Sequence, residues 1–227
     1  MTQHIALLGH PVAHSLSPRM QNAAFAARGL DWRYDAFDVE DPVAAVRALQ
    51  TLGFAGANVT IPHKQAVLAA CDEAEGDAVN TLVFRDGRVI GHNTDKEILA
   101  GIDARSACLI GAGGAAAALA PTLPAATRTY TRSGEWPPDA TGCDLVVNAT
   151  PVRDELLVEL DASQTVVDLA YGDDDTALVA AARAAGCRVV DGREALVRQG
   201  AASFRLWTGL EPPVEVMRAA IALGLAP

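Results

Sequence analysis

Hydrophobic and polar positions along this chain fall into short blocks whose spacing predicts strands and helices in turn. Residues 5–8 are an apolar run of strand length, closed by Gly9-His10-Pro11. Ser17-Pro18 reads as the N-cap and first position of a helix that Gly29 stops, with Met20, Ala24 and Ala27 turned inward. Residues 32–39 are strand-like, Asp41-Pro42 opens a second helix, and Gly53 ends it. Residues 57–61 form another strand that Pro62 blocks, with a helix expected over 63–71. Residues 79–84 and 89–91 flank Arg85-Asp86-Gly87-Arg88, a hairpin signal because Asp-Gly supplies positive φ at little cost.

The pattern restarts near residues 101–105. A strand at 108–110 leads into Gly111-Ala112-Gly113-Gly114 and a helix over 115–120. Strands at 127–131, 145–148, 165–170 and 188–190 follow, with a helix over 176–185 that Gly186 ends. Beyond Gly192 two more helices are expected, 194–207 and 213–223, separated by Gly209 and Pro212-Pro213. This rhythm predicts an α/β fold with mainly parallel sheets, in two lobes that divide after residue 102; the second is a nucleotide-binding unit in outline.

Composition narrows the function. A chain of 227 residues, 50% hydrophobic and 20% charged, is globular and long enough for each lobe to bury its own core. A net charge of −10 argues against nucleic acid and anionic membranes as partners. No apolar run is long enough to span a bilayer and the N-terminus carries no targeting pattern, so a cytoplasmic protein is expected. Cys71, Cys108, Cys143 and Cys187 are far apart among apolar neighbours, which predicts reduced, buried thiols and neither a disulfide frame nor a metal site. Among the 18 basic residues only Lys64 and Lys96 are lysines.

Several segments carry chemistry. Gly111-x-Gly113-x-x-Ala116 fits the dinucleotide fingerprint, since it follows a strand and opens a helix whose first N–H groups can meet a phosphate. The next strand ends in Thr131-Arg132-Ser133, where a carboxylate would select NAD; Arg132 can instead grip a 2′-phosphate with Ser133 donating, which points to NADP. A solvated surface arginine is the plainer alternative. Ser15-x-Ser17-Pro18 places two hydroxyls at a helix mouth, suited to a carboxylate, though capping alone would explain Ser17. Asn58-Val59-Thr60-Ile61-Pro62-His63-Lys64 puts polar groups and a lysine past the C-terminal end of a strand, and Asn93-Thr94-Asp95 ends another extended stretch. A lysine and an aspartate that meet would form a proton-transfer pair, but spacing alone leaves an unrelated surface lysine as the default.

Taken in order, residues 9–18, 58–64, 78–81 (Ala78-Val79-Asn80-Thr81), 91–95 (Gly91-His92-Asn93-Thr94-Asp95), 111–115, 199–201 and 207–209 resemble the shikimate dehydrogenase family over almost the whole chain. The resemblance implies reversible NADPH-dependent reduction of 3-dehydroshikimate to shikimate, in aromatic amino-acid biosynthesis, by a monomer or homodimer. It implies that residues 1–102, joined by the C-terminal helices of about 200–227, bind substrate, and that residues 103–199 are a shortened Rossmann-type domain for NADP(H). By motif, Lys64 and Asp95 would be the catalytic pair. Ser15 and Ser17 would bind the substrate carboxylate with Tyr171 nearby, and Thr60, Asn80 and Gln199 its hydroxyls. Gly111, Ala112, Gly113, Gly114, Ala115, Arg132, Ser133 and Thr150 would hold the cofactor. Serine at position 17 goes with shikimate in the family, where threonine goes with quinate. Lys96 would be a bystander.

The chain departs from that pattern at Gln21, Asp77, Val152-Arg153, residues 172–175 and Ala195, positions that bear on nicotinamide-side packing and cofactor affinity. Its largest departure is a shortening: Gly134 to Cys143, with Pro137-Pro138, stand where the family has a crossover helix, so an irregular loop and weaker NADPH binding are expected. The rival functions are a quinate or amino-shikimate dehydrogenase with NAD as a possible cofactor, and a catalytically weak paralogue that binds NADP(H) or a small acid.

Overall fold

In the first part of the chain β1 (Gln3–Gly9), β2 (Trp32–Asp38), β3 (Gly56–Val59), β4 (Glu73–Ala74), β5 (Thr81–Arg85) and β6 (Arg88–His92) assemble in the order β2-β1-β3-β5-β6-β4. The β1–β2, β1–β3 and β4–β6 pairs are parallel, whereas β5 is antiparallel to both β3 and β6. Asp86 and Gly87 both have positive φ, 52° and 75°, so the Asp-Gly hairpin forms as its residues predict. The two-residue β4 carries no apolar pattern and was not expected.

The computed structural model describes residues 1–222, which divide into two units: Met1–Glu97 with Val197–Ala222, and Ile98–Leu196. In the first unit, α2 (Pro42–Thr51) follows α1 (Ser17–Ala27), and Asp41 caps α2 by accepting from Val43 N and Ala44 N, each at 3.0 Å. The start of α1 differs from expectation. Ser17 is already helical, and the hydroxyl that meets its N–H, at 3.2 Å, is that of Ser15. Ala27 is the last helical residue and is exposed; the buried stripe is Ser17, Met20, Gln21, Ala24 and Phe25. Instead of a helix over 63–71 there is a 3-10 turn, Ala66–Ala70, because the Lys64 carbonyl accepts from Val79 N at 2.9 Å and leaves the helical ladder.

The second unit contains β7 (Ser106–Ile110), β8 (Ala126–Tyr130), β9 (Leu145–Asn148), β10 (Thr165–Asp168) and β11 (Arg188–Val190), all parallel, in the order β11-β10-β9-β7-β8. Each central strand is apolar on both faces, as a covered parallel sheet requires. Ala107, Leu109, Leu145 and Val147 pack against α3 (Gly114–Leu119) on one side. Cys108, Ile110 and Val146 pack on the other against α4 (Ala177–Ala185), which Thr176 caps and Gly186, at φ 81°, ends. The chain passes from the second unit back into the first within α5 (Gly192–Thr208), and α6 (Val214–Ala220) follows. Leu223, expected at the end of the last helix, lies outside the described residues.

The doubly wound order 3-2-1-4-5-6 is present here without its third strand, so β8 forms the edge. Residues 131–144 cross from β8 to β9 as an irregular loop, in keeping with the expectation. Tyr130 Oη donates to Asp139 O at 3.1 Å and Gln164 Nε2 to Ala140 O at 2.9 Å, which ties that loop down. Among the described residues no helix is long and apolar enough to cross a membrane.

Candidate active site

Strand register brings distant motifs of the first unit together. Asn58 of β3 pairs with Thr81 of β5, and Thr81 with His92 of β6, so the ends of β3 and β6 flank the beginning of β5. Lys64 follows the first and Asp95 the last. Lys64 Nζ lies 2.5 Å from Asp95 Oδ2, with side chains only 12% and 9% exposed. Asn80 Nδ2 donates to Asp95 Oδ1 at 2.7 Å, and Asn93 Oδ1 accepts from Asp95 N at 3.1 Å. The carboxylate is therefore held from both oxygens and from its backbone. Lys96, its sequence neighbour, pairs instead with exposed Glu75 at 3.1 Å.

Asn80, expected as a substrate ligand, is 3% exposed, and its Oδ1 accepts from Thr94 N (2.8 Å), Thr94 Oγ1 (3.0 Å) and Thr81 Oγ1 (3.1 Å). What it does here is orient Asp95, with one amide hydrogen left over. Behind it lies a buried network that residue patterns did not reveal. Asn58 Nδ2 faces Asn80 O, Thr81 Oγ1 and Ser203 Oγ within 3.0 Å, and its Oδ1 accepts from Tyr34 Oη at 2.8 Å. Ser203 reaches Thr81 and Thr94 as well, so α5 braces the pair. Ser203 looks like any helical serine; only the quoted neighbour Gln199, one turn earlier and accepting from Ser203 Oγ through its carbonyl, hinted that this face of α5 is used.

Ser15 and Ser17 sit at the mouth of α1. Ser15 Oγ accepts from Ser17 N at the first turn, while the Ser17 hydroxyl, on a residue only 6% exposed, has no partner among the described residues. Thr60 lies just past β3 and Gln199 in α5, both half-buried in this same unit. Tyr171 belongs to the second unit, where it lines a small recess with Gly172, Asp191 and Arg193.

The second unit also holds a cavity of about 350 Å³ lined by Gly111, Ala112, Gly113, Thr131, Arg132, Ser133, Trp136, Thr150 and neighbours. Most of the expected cofactor positions are thus gathered in one place; Gly114 and Ala115 begin α3 beside it. Gly111 has φ 115°, and a Cβ there would meet Ala149 O at 3.1 Å, whereas one at Gly113 or Gly114 would meet nothing within 4 Å. Tight backbone below and open space above suit a phosphate-bearing nucleotide. Thr150 is positioned by its neighbours: Asn148 Oδ1 accepts from its N (3.0 Å) and Oγ1 (2.6 Å), and Asn148 Nδ2 donates to Asp168 at 2.9 Å. Burial pushes the Asp168 carboxyl above its ordinary pKa, against donors from Thr176, Ala170 and Asn148. Arg132 does not stand free: its Nη2 lies 2.5 Å from Glu155 Oε2, and its guanidinium carbon 4.5 Å from the Trp136 ring centre.

Comparison with known proteins adds an independent finding. The family "Shikimate dehydrogenase substrate binding domain" matches residues 7–82, and "Shikimate 5'-dehydrogenase C-terminal domain" matches 192–222. A shikimate dehydrogenase (NADP(+)) of Moorella thermoacetica is 41% identical over 266 aligned positions, covering 94% of this chain and 90% of that one. One from Methanopyrus kandleri is 40% identical, covering 97% and 95%. Both alignments are longer than the 227 residues here, so they open gaps in this chain, as the missing strand requires. A shikimate dehydrogenase solved with NADP+ superposes with a TM-score of 0.84 at 34% identity, covering 97% of this chain and 94% of that one. One from Thermus thermophilus with NADP(H) and shikimate gives 0.81 at 33%, covering 96% and 98%. With motifs, sheet order, catalytic-type pair and nucleotide cavity in agreement, the chain belongs to the shikimate dehydrogenase family.

Proposed function

We propose that this protein interconverts shikimate and 3-dehydroshikimate with NADP(H), and that Lys64 and Asp95 are its catalytic residues. The observation that carries the reading is the Lys64–Asp95 contact of 2.5 Å, braced by Asn80 in a unit that matches the substrate-binding family. Both Asp95 oxygens are engaged, Oδ2 by Lys64 and Oδ1 by Asn80, which leaves the lysine as the group with hydrogens to offer.

Bound NADPH would supply a hydride to the carbonyl carbon. As that carbon is reduced, charge builds on the oxygen; the Lys64 ammonium stabilises it and gives up the proton that completes the hydroxyl, while Asp95 holds the lysine in line. In the oxidative direction the neutral amine takes the proton back. The free hydroxyl of Ser17, with Ser15, would receive the substrate carboxylate; Thr60, Gln199 and the spare amide hydrogen of Asn80 would receive its hydroxyls. Gly111 to Ala115, Thr150, Arg132 and Ser133 would hold the cofactor. A cytoplasmic monomer or homodimer belongs to the same proposal.

The test is the NADPH absorbance band on mixing protein, shikimate and NADP+, with quinate and NAD+ in parallel. Growth of the band with shikimate supports the reading. Its absence with fresh protein, or its appearance with quinate alone, overturns it.

A further inference from the structure

Arg132 is the cation of the nucleotide cavity, and its partner is a carboxylate that no fingerprint contains. Glu155 lies three residues beyond Val152, which lines the cavity, and reaches back to Arg132 at 2.5 Å; the two side chains are 58% and 52% exposed. Trp136, contributed by the loop that replaces the crossover helix, stacks on the same guanidinium and limits where it can swing.

Resting on the assignment of NADP(H) above, we propose that Glu155 is a specificity-determining residue for the nucleotide. It occupies Arg132 with an ion pair that a 2′-phosphate must displace. The phosphate carries between one and two negative charges and would stand beside the Glu155 carboxylate while both face one cation. A nucleotide without that phosphate meets no such repulsion, and its ribose hydroxyl can donate to Glu155, the contact that an acidic residue makes in NAD-selective sites. The chain therefore discriminates between the two nucleotides less sharply than Arg132 alone would make it.

The experiment is calorimetric titration of the intact protein with NADP+ and with NAD+, for wild type, Glu155→Gln, Arg132→Ala and the double variant, at low and high salt. Because an exposed pair is easily broken, the expected change is modest: Glu155→Gln tightens NADP+ about three- to tenfold, leaves NAD+ unchanged or weaker, and the effect shrinks at high salt. In the Arg132→Ala background the same substitution loses most of that effect, an outcome that a purely structural role would not produce. An NADP+/NAD+ affinity ratio within twofold of wild type in Glu155→Gln overturns the inference alone, provided that the wild type binds NADP+. If the wild type binds neither nucleotide, the functional assignment falls with it.

Discussion

Replacing Lys64 by alanine separates two consequences of one contact. The first is catalytic. Loss of the group that stabilises the developing alkoxide lowers kcat about a hundred- to a thousandfold, with a much smaller change in KM for shikimate. The second is structural. Asp95 is only 9% exposed, so the variant strands a carboxylate whose remaining side-chain partner is Asn80. Breaking a buried pair commonly costs about 3–5 kcal/mol, and the surviving Asn80 bond argues for the lower end, about 3 kcal/mol. At about 2–4 °C per kcal/mol for a chain of this size, that is a fall of roughly 6–12 °C in Tm. Adding Asp95→Asn to Lys64→Ala removes the stranded charge, so the double variant regains most of the lost Tm and none of the lost rate. Steady-state kinetics and circular-dichroism melts on the single and double variants read both effects, with Lys96→Ala as a control expected within twofold of wild-type kcat because that side chain pairs at the surface. Near-wild-type turnover in folded Lys64→Ala, or recovery of rate in the double variant, refutes the reasoning.

Gly56→Ala places a Cβ 2.3 Å from Leu82 O and 2.6 Å from Trp207 Nε1, forcing apart β3, β5 and α5 and straining the Trp207–Leu82 hydrogen bond; a loss of about 2–3 kcal/mol in urea denaturation is expected, and a loss below about 0.5 would contradict the packing. Burial raises the Cys108 thiol from its ordinary value of 9.0 to about 12. Below pH 9 both folded and unfolded thiols are neutral; between 9 and 12 only the unfolded one ionises, so stability falls as pH rises, by up to about 1.4 kcal/mol per unit, and Cys108→Ala should flatten that part of the pH profile. Tyr130, raised chiefly by burial, acts in the same direction. Without the third strand of its sheet, the nucleotide unit should bind NADPH more weakly than longer relatives do; a KM for NADPH as low as theirs, measured side by side, would be the contrary result.

Local residue chemistry foretold most elements because each is decided by near neighbours. Asp41 and Gly53 bracket α2, Asp86-Gly87 folds the hairpin, and the short unbroken apolar runs of β7, β9 and β10 suit covered parallel strands. What stayed hidden depends on contacts between residues far apart. The Lys64 carbonyl left the expected helix because Val79 claimed it, and Ser203 joined the site only because α5 lies over Asn58 and Thr81. Motif alone gave Asn80 to the substrate and said nothing of its bond to Asp95 or of the Thr81 and Thr94 donors on its carbonyl, which only the fold brings together.

The same distinction explains why a chain this short can keep its chemistry. In a doubly wound sheet the ligand site forms where strand order reverses, here between β7 and β9, and it is there that Gly111 closes on Ala149 and Thr150. The absent strand belongs to the far edge, beyond β8, so its loss leaves the glycine turn and Thr150 untouched. At that edge the surroundings of Arg132 are a loop, with Trp136 as the surface on which the guanidinium rests and Glu155 reaching it. Shortening the fold at its edge is expected to weaken cofactor grip and selectivity while sparing the groups at the reversal point, so the effects of length and of catalytic substitution should appear in different kinetic constants.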